Sequence, residues 1–273
     1  MAHFQIDGKV IVVTGGAGFL GKHFAEVFVA SGADVVVIDI NKQSIDSVVS
    51  ELNNIRDDCC LGLCVDITDD KAVLDASKLV QAKFGRVDVL INNAARNPKV
   101  EGNLLNSNSR LEFLALDEIK LDLEVGLIGS VVCCRHFGAL MTANGDGGVI
   151  VNISSDLGLI GPNQKLYQDP DLETDRQPVK PVSYSIVKSG LVGLTRYMAT
   201  YWADKKIRCN AVCPGGVYNS QPDHFVDQLV ELIPAGRMAI PEDISSCLLW
   251  LASDESSYVN GAIIPIDGGR TAW

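Results

Sequence analysis

The sequence predicts a single α/β domain, a parallel, doubly wound sheet with helices on both faces. Three observations predict it. Segments read alternately as strand and helix in units of about 25–30 residues, the repeat of a strand–helix–strand unit. The strand segments are continuous apolar runs, as strands buried on both faces must be. A glycine-rich turn joins the first strand to the first helix, and a carboxylate closes the second strand. The chain of 273 residues is 47% hydrophobic, enough to bury one sizeable core without a second domain.

Val10-Ile-Val-Val-Thr14 is the first strand. Gly15-Gly-Ala-Gly-Phe-Leu-Gly21 follows and opens an amphipathic helix that runs on to Ser31. The glycines allow a tight turn and let backbone N–H groups approach a pyrophosphate at the helix N-terminus. Gly15, Gly18, Phe19, Leu20 and Gly21 are therefore candidate dinucleotide contacts. Asp34-Val-Val-Val-Ile-Asp39 is the second strand. Asp39 is placed to bind the adenosine ribose hydroxyls and to repel a 2′-phosphate, which favours NAD over NADP. Lys42 is the one cation close by.

Lys42 to Asn54 reads as helix, Leu61 to Asp66 as strand and Lys71 to Phe84 as helix. Val87-Asp-Val-Leu-Ile-Asn92 then runs into Asn93-Ala94-Ala95. Ligands of such a sheet bind at the carboxyl ends of the strands, so Asp66-Ile67 and Asn92-Asn93-Ala94 fall on the binding edge. Arg96 to Arg110 is polar, and an inserted loop is expected at about 96–113. Leu116 to Asn144 returns to helix, and Gly148 to Ile153 is the fifth strand, closed by Ser154-Ser155-Asp156. A second inserted loop is expected at 162–181, with four prolines and the cations Lys165, Arg176 and Lys180. It reads equally as a solvated decoration or as a lid over a substrate. Ile207 to Cys213 is the sixth strand, followed by Pro214-Gly-Gly-Val217. A mobile segment from Tyr218 to Arg237, a helix from Pro241 and a seventh strand, Ala262 to Asp267, complete the chain.

A net charge of -11 argues against nucleic acid or an anionic membrane as the main partner. No apolar run is expected to span a membrane, and Met1 to Lys9 lacks a signal peptide's features. A cytoplasmic location follows. The eight cysteines form no CxxC pair and no zinc-like spacing with histidine, so buried reduced thiols and no metal are expected.

Chemistry enters at Tyr184-Ser-Ile-Val-Lys188, a phenol and an ammonium one helical turn apart on one face. Bringing a tyrosine from about 10 to roughly 7 takes ~4 kcal/mol of differential interaction. Such a phenol exchanges protons with an alcohol or a carbonyl near neutral pH.

With the glycine loop, Asn92-Asn93-Ala94-Ala95, Ser155, Tyr184-x-x-x-Lys188 and Pro214-Gly215 in this order, the chain resembles the short-chain dehydrogenase/reductase superfamily, down to Ile266-Asp267-Gly268-Gly269. The resemblance implies a Rossmann-type domain with a seven-stranded parallel sheet. It implies Tyr184 as general acid/base, Lys188 lowering its pKa and holding the nicotinamide ribose, and Ser155 on the substrate oxygen. Asp66 and Ile67 would lie at the adenine, Asn93 and Ala94 along the ribose, and Pro214, Gly215, Val217 and Asn219 at the nicotinamide. It also implies a dimer or tetramer joined through helices around Asp122–Asn144 and Tyr184–Ala203. Three positions depart from the pattern. Phe19 stands where the ordinary branch has glycine, Gly126 where many members have a relay asparagine, and Asn219 where threonine is usual. Within the superfamily, Tyr184-Ser-x-x-Lys188 behind a long insertion and Pro214-Gly-Gly-Val217-Tyr-x-x-Gln221-Pro222 resemble dehydrogenases of bacterial surface-sugar pathways, nearest the legionaminic acid route of flagellin modification.

The leading reading is an NAD-dependent oxidoreductase interconverting a secondary alcohol and a ketone on a phosphorylated or amino sugar. A sugar-nucleotide epimerase or dehydratase fits the glycine spacing, and a non-enzymatic NAD-binding protein is the third reading. For the substrate end, Arg96 and Asp156 are the candidates. Arg96 reads either as an anchor for an anionic group or as a surface arginine paired with a carboxylate of the following loop. Lys165, Arg176 and Lys180 are the next cations to consider.

Overall fold

The computed structural model describes residues 4–96, 109–168, 172–173 and 176–273. Most of the loop expected at 96–113 and part of that expected at 162–181 lie outside the described residues. All seven strands pair in parallel in the order β3-β2-β1-β4-β5-β6-β7. They are β1 (Val10–Thr14), β2 (Asp34–Asp39), β3 (Cys60–Cys64), β4 (Val89–Asn92), β5 (Gly148–Ile153), β6 (Ile207–Pro214) and β7 (Ile263–Ile266). The strand order reverses between β1 and β4, so the carboxyl ends of these two strands flank a crevice.

Side chains alternate across each strand and so build two cores. Ile11, Val13, Val35 and Val37 face Phe24 and Phe28 of α1 (Phe19–Ala30), Leu52 of α2 (Lys42–Ile55) and a helix near the C-terminus. Val10, Val12, Val36 and Ile38 face α3 (Asp70–Phe84) and the long helix that precedes β5. The helix starts follow local chemistry. The Asn41 side chain accepts from Ser44 N and caps α2; Asp69 accepts from Ala72 N and caps α3, each worth about 1 kcal/mol. α3 stops at Gly85, whose φ of +75° suits a left-handed cap.

Four expectations change. The helix from Leu116 is interrupted: α4 (Leu116–Leu123) passes through a π-helical turn, Glu124–Ile128, into α5 (Gly129–Ala143). This 28-residue stretch is long and apolar enough to cross a membrane, but half of its most apolar 18-residue window is buried inside the domain, as in a core helix. The segment expected to be mobile after Tyr218 instead contains α7 (Asp223–Val230), which follows α6 (Val182–Tyr201) and precedes α8 (Pro241–Ala252). Leu229 of α7, Ile233 and Met238 pack on Leu166 of the second insertion, making a small third core. The eight cysteines are free, but Cys64 is exposed because β3 is an edge strand.

Candidate active site

A cavity of about 780 Å³ opens at the carboxyl ends of β1, β2, β4, β5 and β6 and runs from Asp39 and Asp66 to Ser155, Tyr184 and Arg270. Its first half is built from backbone. Gly15 has a φ of +61°, and a Cβ at Gly21 would stand 2.1 Å from Gly15 O, so only glycine lets α1 close on the turn. The Asp39 carboxylate is aimed by the chain around it, accepting from Ala17 N at 3.2 Å and Ile40 N at 2.8 Å. Lys42 is turned away and pairs with Asp46. Phe19, half exposed, and Leu20 line the wall at the start of α1.

Asp66 accepts from both the N and the Oγ1 of Thr68, and Ile67 is buried against Gly129. Asn93 Nδ2 donates to Thr14 O at 3.0 Å and Gly15 O at 3.2 Å, tying the end of β4 to the glycine turn. Ala94 N donates to Thr14 Oγ1, leaving its side chain on the cavity wall. The farther rim is the end of β6. Gly215 N bonds Ile266 O, and Asn219 N bonds the Oε1 of Gln221, whose amide returns to Val217 O. Pro214, Gly215, Val217 and Asn219 all line the cavity.

The second half is built from side chains. Ser155 ends the turn after β5, and Tyr184 and Lys188 point from α6 into the same space. Lys188 is 5% exposed and donates to Ile153 O at 2.8 Å. Its Nζ stands 5.7 Å from the Tyr184 ring centre, whereas Lys180 Nζ, from the second insertion, stands 3.9 Å over that ring. Burial pulls both ammonium groups down to about 8, and for Lys188 the charge of Lys180 adds to this. Burial pushes the Tyr184 phenol up, a Ser155 hydrogen bond opposes this and the Asp156 charge reinforces it. The lowered tyrosine expected from Lys188 is therefore not produced by the protein's own groups: desolvation outweighs them.

The substrate candidates are both tied into ion pairs. Arg96 lines the cavity but is held by Asp122 at 3.1 Å and Glu118 at 3.0 Å, both on α4 rather than on the loop after it. Asp122 is buried and also accepts from Ser183 Oγ at 2.6 Å. Asp156 is 3% exposed and pairs with Arg270. Losing one partner of such a buried pair costs about 3–5 kcal/mol. Gly126 has a physical reason. A Cβ there would meet Val187 Cγ1 at 2.5 Å, so Val187, next to Lys188, takes the space of a side chain. Arg270, Tyr167 and Phe225 also line the cavity without having been singled out in the sequence. The one available signal for Arg270 was its place directly after the Asp267-Gly-Gly269 motif.

No group of three or more metal-ligating side chains is found among the described residues. What converges is a glycine turn, a ribose-sized carboxylate position, a phenol, a hydroxyl and two lysines, a set suited to proton exchange at a C–O group beside a bound dinucleotide.

Residues 9–167 match the family model described as short chain dehydrogenase, and residues 175–271 match one described as enoyl-(acyl carrier protein) reductase. The chain is 34% identical to a meso-2,3-butanediol dehydrogenase of Serratia marcescens, covering 98% of this chain and 96% of that one. It is 30% identical to a D-threitol dehydrogenase of Mycolicibacterium smegmatis, covering 98% and 95%. The crystal structure of a short-chain type dehydrogenase/reductase from Mycobacterium marinum superposes with a TM-score of 0.84 at 26% identity, covering 99% and 98%.

Proposed function

From the premise that this chain belongs to the short-chain dehydrogenase family, we propose that it is an NAD-dependent oxidoreductase interconverting a secondary alcohol and a ketone on a small polyhydroxylated substrate. The observation that carries this reading is the convergence of Ser155, Tyr184 and Lys188 on the cavity that starts at Gly15 and Asp39. The glycine turn, which a Cβ would fill, fits a pyrophosphate, and Asp39 fits ribose hydroxyls better than a phosphate. Asp66 and Ile67 would hold the adenine, Asn93 and Ala94 the ribose, and Pro214 to Asn219 the nicotinamide. Bound NAD would supply the hydride acceptor. Tyr184 Oη takes or returns the hydroxyl proton, Lys188 fixes the ribose beside it, and Ser155 holds the substrate oxygen.

The relatives named for butanediol and threitol support a polyol or sugar alcohol. An anionic group on that substrate is supported by Lys180, whose ammonium lies over the Tyr184 ring. Arg96 also lines the cavity, where Asp122 and Glu118 hold it. The surface-sugar role rests on the Tyr184 and Pro214–Pro222 motifs alone. A homo-oligomer is supported by the exposed Ile128, Val131, Ile186, Tyr197 and Tyr201 on α5, its entry turn and α6, and a reducing, cytoplasmic setting by the free cysteines.

The test is net NADH formation on incubation with NAD and polyols, aldonic acids or phosphorylated sugars. Steady NADH production supports the dehydrogenase. Conversion of a sugar nucleotide without net NADH indicates an epimerase, the reading favoured by the Gly15-x-x-Gly18-x-x-Gly21 spacing.

A further inference from the structure

We propose that Asp156 and Arg270 are a positioning pair for this chemistry: Asp156 sets the direction of the Ser155 hydroxyl, and Arg270 offsets the carboxylate's charge so that the hydroxyl proton stays available to the reacting oxygen. The proposal rests on the reading of Ser155 and Tyr184 as the centre of alcohol–carbonyl interconversion.

The geometry is a continuous chain of contacts. Ser155 caps a single 3-10 turn, Asp156–Gly158, at the end of β5. Its Oγ donates to Asp156 Oδ1 at 2.8 Å and accepts from Leu157 N at 3.2 Å. Leu157 N also donates to Asp156 Oδ1 at 2.8 Å, which locks the carboxylate against the turn. The other oxygen, Oδ2, accepts from Arg270 Nη1. Ser155, Asp156 and Arg270 are 6%, 3% and 7% exposed, so water screens little of this. Arg270 comes from the far end of the chain, on a turn built to deliver it. Asp267 accepts from Gly269 N, Thr271 N and Thr271 Oγ1, while Gly268 and Gly269 take φ values of +64° and +90°.

A serine has one hydroxyl proton, and here two oxygens compete for it. Toward Asp156 the hydroxyl is already engaged; toward the cavity it must donate to the substrate oxygen or to the phenolate. A buried carboxylate without a counter-charge would hold that proton and repel negative charge on Tyr184. A guanidinium on its second oxygen weakens both effects while leaving the orientation intact. Asp156 does act on Tyr184 in the upward direction. The other ionisable groups facing the phenol are Lys180, Lys188 and Tyr167, with Cys213 beneath Ser154 and Ser155.

The test is the ionisation of Tyr184, read as the ultraviolet difference between each variant and the same variant carrying Tyr184→Phe, together with kcat against pH. Arg270→Gln should move the phenol's ionisation up and lose roughly 10²-fold in kcat, the lower end of a positioned proton-transfer group's contribution, with KM for NAD unchanged. Asp156→Asn should move it down. Asp156→Asn with Arg270→Gln should return it toward wild type and recover most of the lost kcat. Arg270→Lys, which keeps the charge and folds more readily, should leave the ionisation in place. If the single variants only lower the melting temperature, with Tyr184 unmoved, the pair merely ties the C-terminal turn to β5 and the proposal fails. The titration needs no substrate, so shifts in the predicted directions without NADH formation from any alcohol would uphold the pairing and overturn the dehydrogenase reading instead.

Discussion

The two halves of the cavity are built differently. The half from Gly15 to Ala94 is largely a backbone structure: a turn, two strand ends and hydrogen bonds to main-chain atoms that hold Asp39 and Asn93 in place. The half around Tyr184 is a side-chain structure assembled across the chain. Arg270 meets Asp156 over 114 residues, Arg96 meets Asp122 over 26, and Leu166 packs on Leu229 and Met238. The first half is a glycine cradle that a Cβ would fill, closed by the carboxylate of Asp39. The second carries buried ion pairs, Asp156 with Arg270 and Asp122 with Arg96, beside the phenol and the two lysines.

The largest effect that would break this comparison is at the residue joining the halves. Lys188→Ala should lose roughly 10²–10⁴-fold in turnover and also weaken NAD binding, because the same ammonium serves both. A change in turnover with NAD affinity untouched, measured by NADH fluorescence titration, would separate the halves at that point. Next comes the cradle. Asp39→Ala removes a charge-assisted contact worth about 1.5–3 kcal/mol, so kcat/KM for NAD should fall by roughly one to two orders of magnitude while NADP loses less. A wild-type preference for NADP would overturn the role of Asp39.

A smaller effect sharpens the substrate half. Lys180→Met should raise KM for an anionic substrate about tenfold, as expected for a charge-assisted contact of about 1.5 kcal/mol, and leave KM for NAD alone. Arg96→Ala should change KM little and lower Tm, since it strips Asp122 and Glu118 of their shared cation. The two predictions reverse if Arg96, not Lys180, holds the substrate. The pH dependence has a defined sign. Lys180, pulled down to about 8 by burial, is charged below that pH and neutral above it. KM for an anionic substrate should therefore rise as pH passes 8 in the wild type and stay level in Lys180→Met.

The same division explains what could be read from the sequence. The apolar runs led to all seven strands: the inner ones are almost wholly buried, and the partly buried edge strands β3 and β7 still carry Leu61, Leu63, Ile263 and Ile264. The glycine turn, Asp39, Ser155, Tyr184 and Lys188 were legible because each belongs to a motif contiguous in the chain and each lines the cavity. The ion pairs were not. Nothing near Asp156 announces an arginine 114 positions later, and nothing near Arg96 shows that α4 will present Glu118 and Asp122 to it. The reason for glycine at 126, inside the π-helical turn, was equally hidden, because the space of its side chain is taken by Val187 on another helix. The segment after Tyr218 looked mobile since its helix is short and packs on an insertion rather than on the sheet.

On the dehydrogenase reading, the two halves act together through the Tyr184 phenol. The most direct measurement is NADH formation from the best alcohol substrate by Tyr184→Phe, with NADH affinity measured on the same preparation. NADH binding should be unchanged and turnover lower by roughly 10²–10⁴-fold or more. Turnover near the wild-type rate in Tyr184→Phe, with cofactor bound, would contradict that reading.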